Sequence, residues 1–231
     1  MLTRFFKRLD PRLIIVFAVT VLLWNTVVAY PLKIFVVFLH EISHGIAAIL
    51  TGGRIIEIQV VAQQGGHAIT AGGSRFWTLS AGYLGSMVWG GVILVLASRT
   101  RLDRFLSIAI GVVMVVVSVL YLRNRFGFLF GLGFGLGLIA AGRFLPEQVN
   151  DWILKTIGLT SCLYAILDIK SDVIDRADLQ SDARMLAELT HIPTLVWGGL
   201  WILIAVWGTL FVLYVAGKDK PPKALRMQNA E

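Results

Sequence analysis

The feature that most constrains this chain is a succession of apolar runs, each close to the length needed to cross a bilayer and separated by short polar or basic segments. By eye they cover residues 13–30, 34–50, 76–97, 105–122, 126–144, 149–169 and 194–216. A helix spans the hydrocarbon with about 20 such residues. Composition excludes the alternative of a soluble domain with a large core. Hydrophobic residues make up 57% and charged residues only 15%, against roughly 45–50% and about 25% in soluble domains. The expectation is an all-α polytopic membrane protein of six or seven transmembrane helices. Residues 1–217 then form one domain, and the polar stretch 218–231 is read as a disordered tail.

Two stretches depart from this pattern. "TGGRIIEIQVVAQQGGHAITAGGSR", after the second run, has paired glycines at three places and β-branched residues partly alternating with polar ones. It predicts a short β-hairpin with Gln64, Gly65 and Gly66 at or near its turn. "FGFLFGLGFGLGLIAAG" is so rich in glycine that it either packs closely on a neighbour or enters the bilayer partway, which leaves the span count open by one. Pro31 is expected to end the first span. Basic residues precede that run, but no small-residue cleavage site follows it, so a retained span is expected rather than a removed signal peptide.

The formal charge of +7 does not indicate nucleic acid. Basic residues sit in short clusters at the ends of apolar runs ("TRFFKRLDPR", "SRTRLDR", "RNR"), as headgroup-facing anchors do. Counted under a seven-span layout they divide ten against ten, so the positive-inside rule assigns no orientation. The one cysteine, Cys162, lies within an apolar run, which excludes an internal disulfide and a cysteine-based metal site. No internal repeat is evident.

Against this background "VVFLHEISHGIAAILTGGRI" carries His40, Glu41 and His44 inside an apolar run. Each ionisable group there costs about 2.5–3.5 kcal/mol on insertion scales, so three in five residues require a compensating interaction. On a helix, His40 and His44 lie about 40° apart and can share a metal, while Glu41 points about 100° away from His40. Two imidazoles on zinc, with the intervening carboxylate as general base toward a zinc-bound water, is the chemistry this spacing supports. The competing readings are a structural polar cluster and a proton or ion pathway.

A catalytic zinc site takes three protein ligands, so the motif lacks one. The preferred candidate is Asp168 in "CLYAILDIKSDVIDRADLQSDA", the acid lying deepest in its run. Asp172, four residues on, is a possible partner holding one of the histidines, or an alternative ligand. Asp172 and Asp175 lie near the helix end, where acids are usually solvated. His67, in the hairpin, reads as a loop residue and His191, before Pro193, as structural.

These residues resemble the site-2 protease family of intramembrane zinc metalloproteases, in particular its small membrane-only branch. The resemblance rests on "FLHEISHGIAAILTGGRI", the Gly-rich hairpin, "LSAGYLGSMVWGG", "LDIKSD" and "SDARMLAELTHIPTLVWG". It implies a Zn2+ held by His40, His44 and the aspartate of a Leu-Asp-Gly-type motif, which falls on Asp168, with Glu41 as catalytic base. Asp168 is followed by Ile169 where relatives have glycine. "SAGYLGS" replaces an Ala-Gly-Pro turn, with Ala81, Gly82 and Gly85 as the small residues for close packing. The partners implied are the lipid bilayer and a membrane-spanning or membrane-anchored protein substrate. The hairpin is expected to offer a strand edge, over residues 55–61, to an unwound substrate, or else to act as a simple re-entrant plug. A second function class stays open, a catalytically silent family member acting as a membrane scaffold or assembly subunit; a transporter is disfavoured by the lack of repeats.

Overall fold

The computed structural model describes residues 11–176 and 180–217. Its elements are α1 (Pro11–Leu23), α2 (Tyr30–Leu50), β1 (Arg54–Val61), β2 (Gly65–Ala71), α3 (Arg75–Arg99), α4 (Asp103–Tyr121), α5 (Arg125–Phe144), α6 (Glu147–Lys170), a π-helical turn (Ser171–Asp175), α7 (Asp182–Thr190) and α8 (Thr194–Ala216). Six of the described helices are long and apolar enough to cross a membrane, namely α2, α3, α4, α5, α6 with its π-helical turn, and α8. The protein is a multi-pass integral membrane protein, mostly helical, with one hairpin after α2. The polar stretch 218–231 lies outside the described residues.

The expected first span, 13–30, is not one helix. Its described helix stops at Leu23, where Thr26 turns back and donates from both its amide (2.9 Å) and its hydroxyl (2.6 Å) to the Leu23 carbonyl. Threonine and asparagine compete with helix in this way, by offering the backbone a local side-chain partner. Pro31 does not end a span. It stands in the first turn of α2, where its missing N–H costs nothing. The Gly-rich segment forms the full-length helix α5. A row of small residues lets α5 press on α4: a Cβ at Gly131 would sit 2.0 Å from Ser118 Oγ, and one at Gly135 would sit 2.8 Å from the Gly111 carbonyl. On another side of the helix Phe126, Phe130 and Phe134 stack in succession, and Phe134 stacks on Phe35 of α2.

Burial ranks the spans. The apolar window of α2 is 67% buried within the protein and that of α6 61%, whereas α8 is 17% buried. The motif helix is thus an inner helix, sheathed by others that face lipid. Phe35, Phe38, Ile34 and Val36 of α2 pack with Ile58 and Val60 of the hairpin, Met114 of α4 and Leu154 and Ile157 of α6 in the main core.

The hairpin pairs β1 and β2 antiparallel, from Arg54 opposite Ala71 to Val61 opposite Gly65, with a bulge between Ile55 and Glu57. Gln64 turns the chain with a positive φ of 62°, and the Tyr30 hydroxyl ties the turn to the start of α2 by donating to the Ala62 carbonyl at 2.6 Å. The outer edge of β1, over residues 55–61, is not the free edge that the sequence suggests. Ile58 bridges to Leu122 and accepts from the Arg123 amide, and Asn124 clasps Val60 through both its amide groups, at 2.6 and 3.1 Å. Ile58 and Val60 are fully buried, so their backbone groups must find partners, and the α4–α5 connection supplies them. Among the described residues the edge without a strand partner belongs to β2.

Candidate metal centre

The i, i+4 spacing on α2 brings His40 and His44 together, with ring centroids 4.7 Å apart. Helix α3 crosses directly over them because Gly82 and Gly85 carry no side chain. A Cβ at Gly82 would lie 2.4 Å from His40 Nε2 and 2.6 Å from His44 Cε1, and one at Gly85 2.3 Å from Ser43 Oγ. The close approach also places the Thr78 carbonyl 2.7 Å from His44 Nδ1. A carbonyl only accepts, so Nδ1 carries the proton and the lone pair of the neutral ring is on Nε2, facing inward.

The third member of the cluster is Asp182. Its Oδ2 lies 3.0 Å from His40 Nε2 and 3.2 Å from His44 Nε2, and one donor atom from each of the three lies within 4.8 Å of the others. Asp182 opens α7, which Ser181 caps by accepting from the Arg184 amide. Ala183 and Leu186 anchor that short helix among Leu79, Tyr83 and Trp201. Asp168 is not in the trio. It sits half-buried on α6, and the chain must pass beyond the π-helical turn and fold back before a carboxylate reaches the imidazoles. Depth within a span, on which Asp168 was preferred, does not capture that return.

Asp172 lines the same cavity, but its two oxygens are engaged, one by the Tyr83 hydroxyl at 2.6 Å and the other by Arg176. Asp175 pairs with Lys170 at the surface. His67 is exposed on β2 and faces the cavity rim, opposite Gln59 in the register. His191 ends α7 with a φ of 60°, which fits its structural reading. Glu41 is buried beside the hairpin: a Cβ on Gly66 would lie 2.8 Å from its Oε1, and its Oε2 has no hydrogen-bond partner.

The residues present fit a zinc ion. Asp182 Oδ2 is buried and has no donor aligned on it although two imidazole nitrogens face it. Inward-pointing lone pairs of nitrogen and carboxylate repel unless a cation lies among them, and two imidazoles with one carboxylate form a recurrent zinc donor set. Around the trio and Glu41 is a cavity of about 550 Å3, bounded by residues of the hairpin from Gly66 to Thr70, by Gly72 and Gly73 after it, by Thr78 and Tyr83 of α3 and by Gln180, Ser181 and Met185 at α7.

The sequence reading did not single out Asp182 or Tyr83, and it placed Gly66 at or near the turn without its contact with Glu41. One signal for Asp182 was present: it shares the buried face of α7 with Leu186, four residues on, so an acid occupies the apolar side of a short amphipathic helix.

A family model described as Peptidase M50B-like matches residues 13–212. Comparisons with curated proteins and with solved structures found no match.

Proposed function

The chain belongs to the Peptidase M50B-like family, and from that membership we propose that it is an intramembrane zinc metalloendopeptidase that cuts membrane-spanning or membrane-anchored proteins. The observation that carries the zinc reading is the trio of His40, His44 and Asp182 around an unpartnered buried carboxylate oxygen. In this reading those three hold the ion and Asp182 takes the place that the resemblance would give to Asp168. When bound, zinc polarises a carbonyl and lowers the pKa of a coordinated water toward 7.

The other steps fall to the chain's own groups. Glu41 adjoins His40 on α2 without belonging to the trio, and its free Oε2 is available to accept a proton and to return it to the leaving amine. Thr78 holds the His44 tautomer through its carbonyl. The unpaired edge of β2, whose Gly66, His67, Ala68 and Thr70 line the cavity, is suited to an extended substrate segment. A helix entering the site must expose carbonyls that it had bonded to itself, and a strand edge can take them up. The scaffold alternative is disfavoured, since a silent subunit has no need of a buried Glu41 with an open oxygen.

The test is zinc content with cleavage of a membrane protein substrate. Wild type is expected to hold one zinc and to cleave. Glu41→Gln should keep the metal and lose cleavage, Asp182→Asn should lose the metal, and Asp168→Asn should keep it. Zinc in both wild type and Glu41→Gln, with no glutamate-dependent cleavage in either, would sink the peptidase reading. Zinc retained by Asp182→Asn would sink the ligand assignment.

A further inference from the structure

The two histidines are not held alike. His44 donates from Nδ1 to the Thr78 carbonyl, whereas among the described residues no carbonyl or carboxylate accepts from Nδ1 of His40. What touches the other side of the His40 ring is Tyr83, packed edge to face with centroids 4.8 Å apart and planes at 80°. Tyr83 is 1% exposed and is wedged on its far side by Trp201 at 5.4 Å. Its hydroxyl donates to Asp172 Oδ2 at 2.6 Å, and Asp172 in turn pairs with Arg176. Asp172 is carried by the π-helical turn that follows α6, a wide turn of the kind often found where a side chain must be re-aimed at a site.

We propose that Asp172 and Tyr83 form a positioning pair that sets the orientation of His40 as a metal ligand, an inference that rests on the zinc reading above. The carboxylate holds the phenol by a charge-assisted hydrogen bond in a water-poor setting. The phenol ring, fixed between Trp201 and His40, then leaves the imidazole one orientation, the one in which Nε2 faces Asp182. Asp172 thereby does for His40, through an aromatic ring, what the Thr78 carbonyl does directly for His44. Both residues line the cavity, and in this role they act through His40. Both oxygens of Asp172 are engaged, by the Tyr83 hydroxyl and by Arg176, which suits the outer partner that this role requires.

The test measures the zinc dissociation constant by chelator competition for wild type, Tyr83→Phe, Asp172→Asn and the double variant. The visible spectrum of the cobalt-substituted proteins and the melting temperature of the metal-free proteins are recorded beside it. Tyr83→Phe keeps the ring and removes only the tether. Each single variant is expected to bind zinc about 10-fold more weakly, as loss of an outer partner of a ligand does. The double variant should be no weaker than either single one, because both break the same tether. The cobalt spectrum should shift, while the metal-free melting temperatures stay together. Wild-type affinity and spectrum in the single variants overturn the pair, as do losses that multiply in the double variant. Affinity loss matched by a lower metal-free melting temperature with an unshifted spectrum overturns it too, by assigning the two residues to general stability. If wild type holds no zinc, the zinc reading itself fails, which is a distinct result from a zinc-replete wild type with unaffected variants.

Discussion

Two glycines mark where backbone has to come within contact of the side chains of the candidate site, and they do so for different reasons. Gly82 lets α3 cross the imidazoles, and a methyl group there would fall 2.4 Å from His40 Nε2. Gly66 lets β2 lie on Glu41, and a methyl group there would meet Glu41 Oε1 at 2.8 Å and the Gln59 carbonyl at 2.7 Å. Overpacking of this kind costs roughly 1–3 kcal/mol or forces a shift. Gly82→Ala is therefore expected to lower zinc content together with activity, by displacing a ligand. Gly66→Ala should leave zinc bound and reduce cleavage about 10-fold or more, since it moves the base or the strand beside it. Gly137→Ala on α5 is the control: nothing lies within 4 Å of its Cβ position, and alanine favours helix by roughly 0.5–1 kcal/mol. Metal analysis beside turnover separates the three, and zinc loss in Gly66→Ala with zinc kept in Gly82→Ala would invert the assignment. His40, Glu41 and His44 were legible because burial makes their cost visible in a single run of sequence. Asp182 was legible only as an acid on the apolar side of α7, because its spacing from Leu186 says nothing of the imidazoles that the tertiary fold sets beside it.

At the scale of elements, the hairpin is held less by its two strands than by what surrounds them. An isolated two-stranded hairpin is at best marginally stable, yet this one keeps an ordered register beside α2. Tyr30 ties its turn, Asn124 clasps Val60 and Ile58 pairs with the α4–α5 connection. Asn124→Ala removes a donor and an acceptor at once and leaves both backbone groups of Val60 without their partner, a cost of about 1–3 kcal/mol per group. The expected outcome is faster amide hydrogen exchange at Val60 and its neighbours, lower turnover and unchanged zinc, because the trio lies on α2 and α7. Unaltered exchange at Val60 would show that the clasp does not hold the strand. The turn residues and strand character of this hairpin were legible from its glycines and alternation, and α8 was legible as residues 194–216 from apolar length alone. The break after Leu23 was hidden because Asn25 and Thr26 are only two polar residues with apolar residues on both sides. The capture of β1's edge was hidden because Asn124 is more than 60 residues away in the chain.

At the scale of the whole molecule, the proposed function sets a requirement on the substrate, which meets a buried helix bearing the motif, an outer sheath of lipid-facing helices and, among the described residues, a single strand edge without a strand partner. In the proposed reaction the scissile segment leaves a helical conformation to lie along β2, and a cavity of about 550 Å3 leaves room for only a short extended stretch. Each backbone group exposed in the process costs several kcal/mol unless it is paired, so the conformational preference of the substrate enters its rate. Placing glycine or proline close to the cleavage position of a substrate lowers the cost of unwinding, by about 1 kcal/mol for glycine and about 3 for proline relative to alanine. Since about 1.4 kcal/mol is a factor of ten, glycine should raise kcat/KM several-fold and proline by about a hundredfold at a position where its missing N–H is not required. A leucine-rich replacement of the same stretch should resist cleavage while still competing for the enzyme. The series is to be run in the membrane substrate that wild type cuts, with Glu41→Gln as the inactive reference. Rates indifferent to helix breakers would remove β2 from the reaction and leave the zinc trio untouched, because metal binding by His40, His44 and Asp182 does not depend on how the substrate presents its backbone.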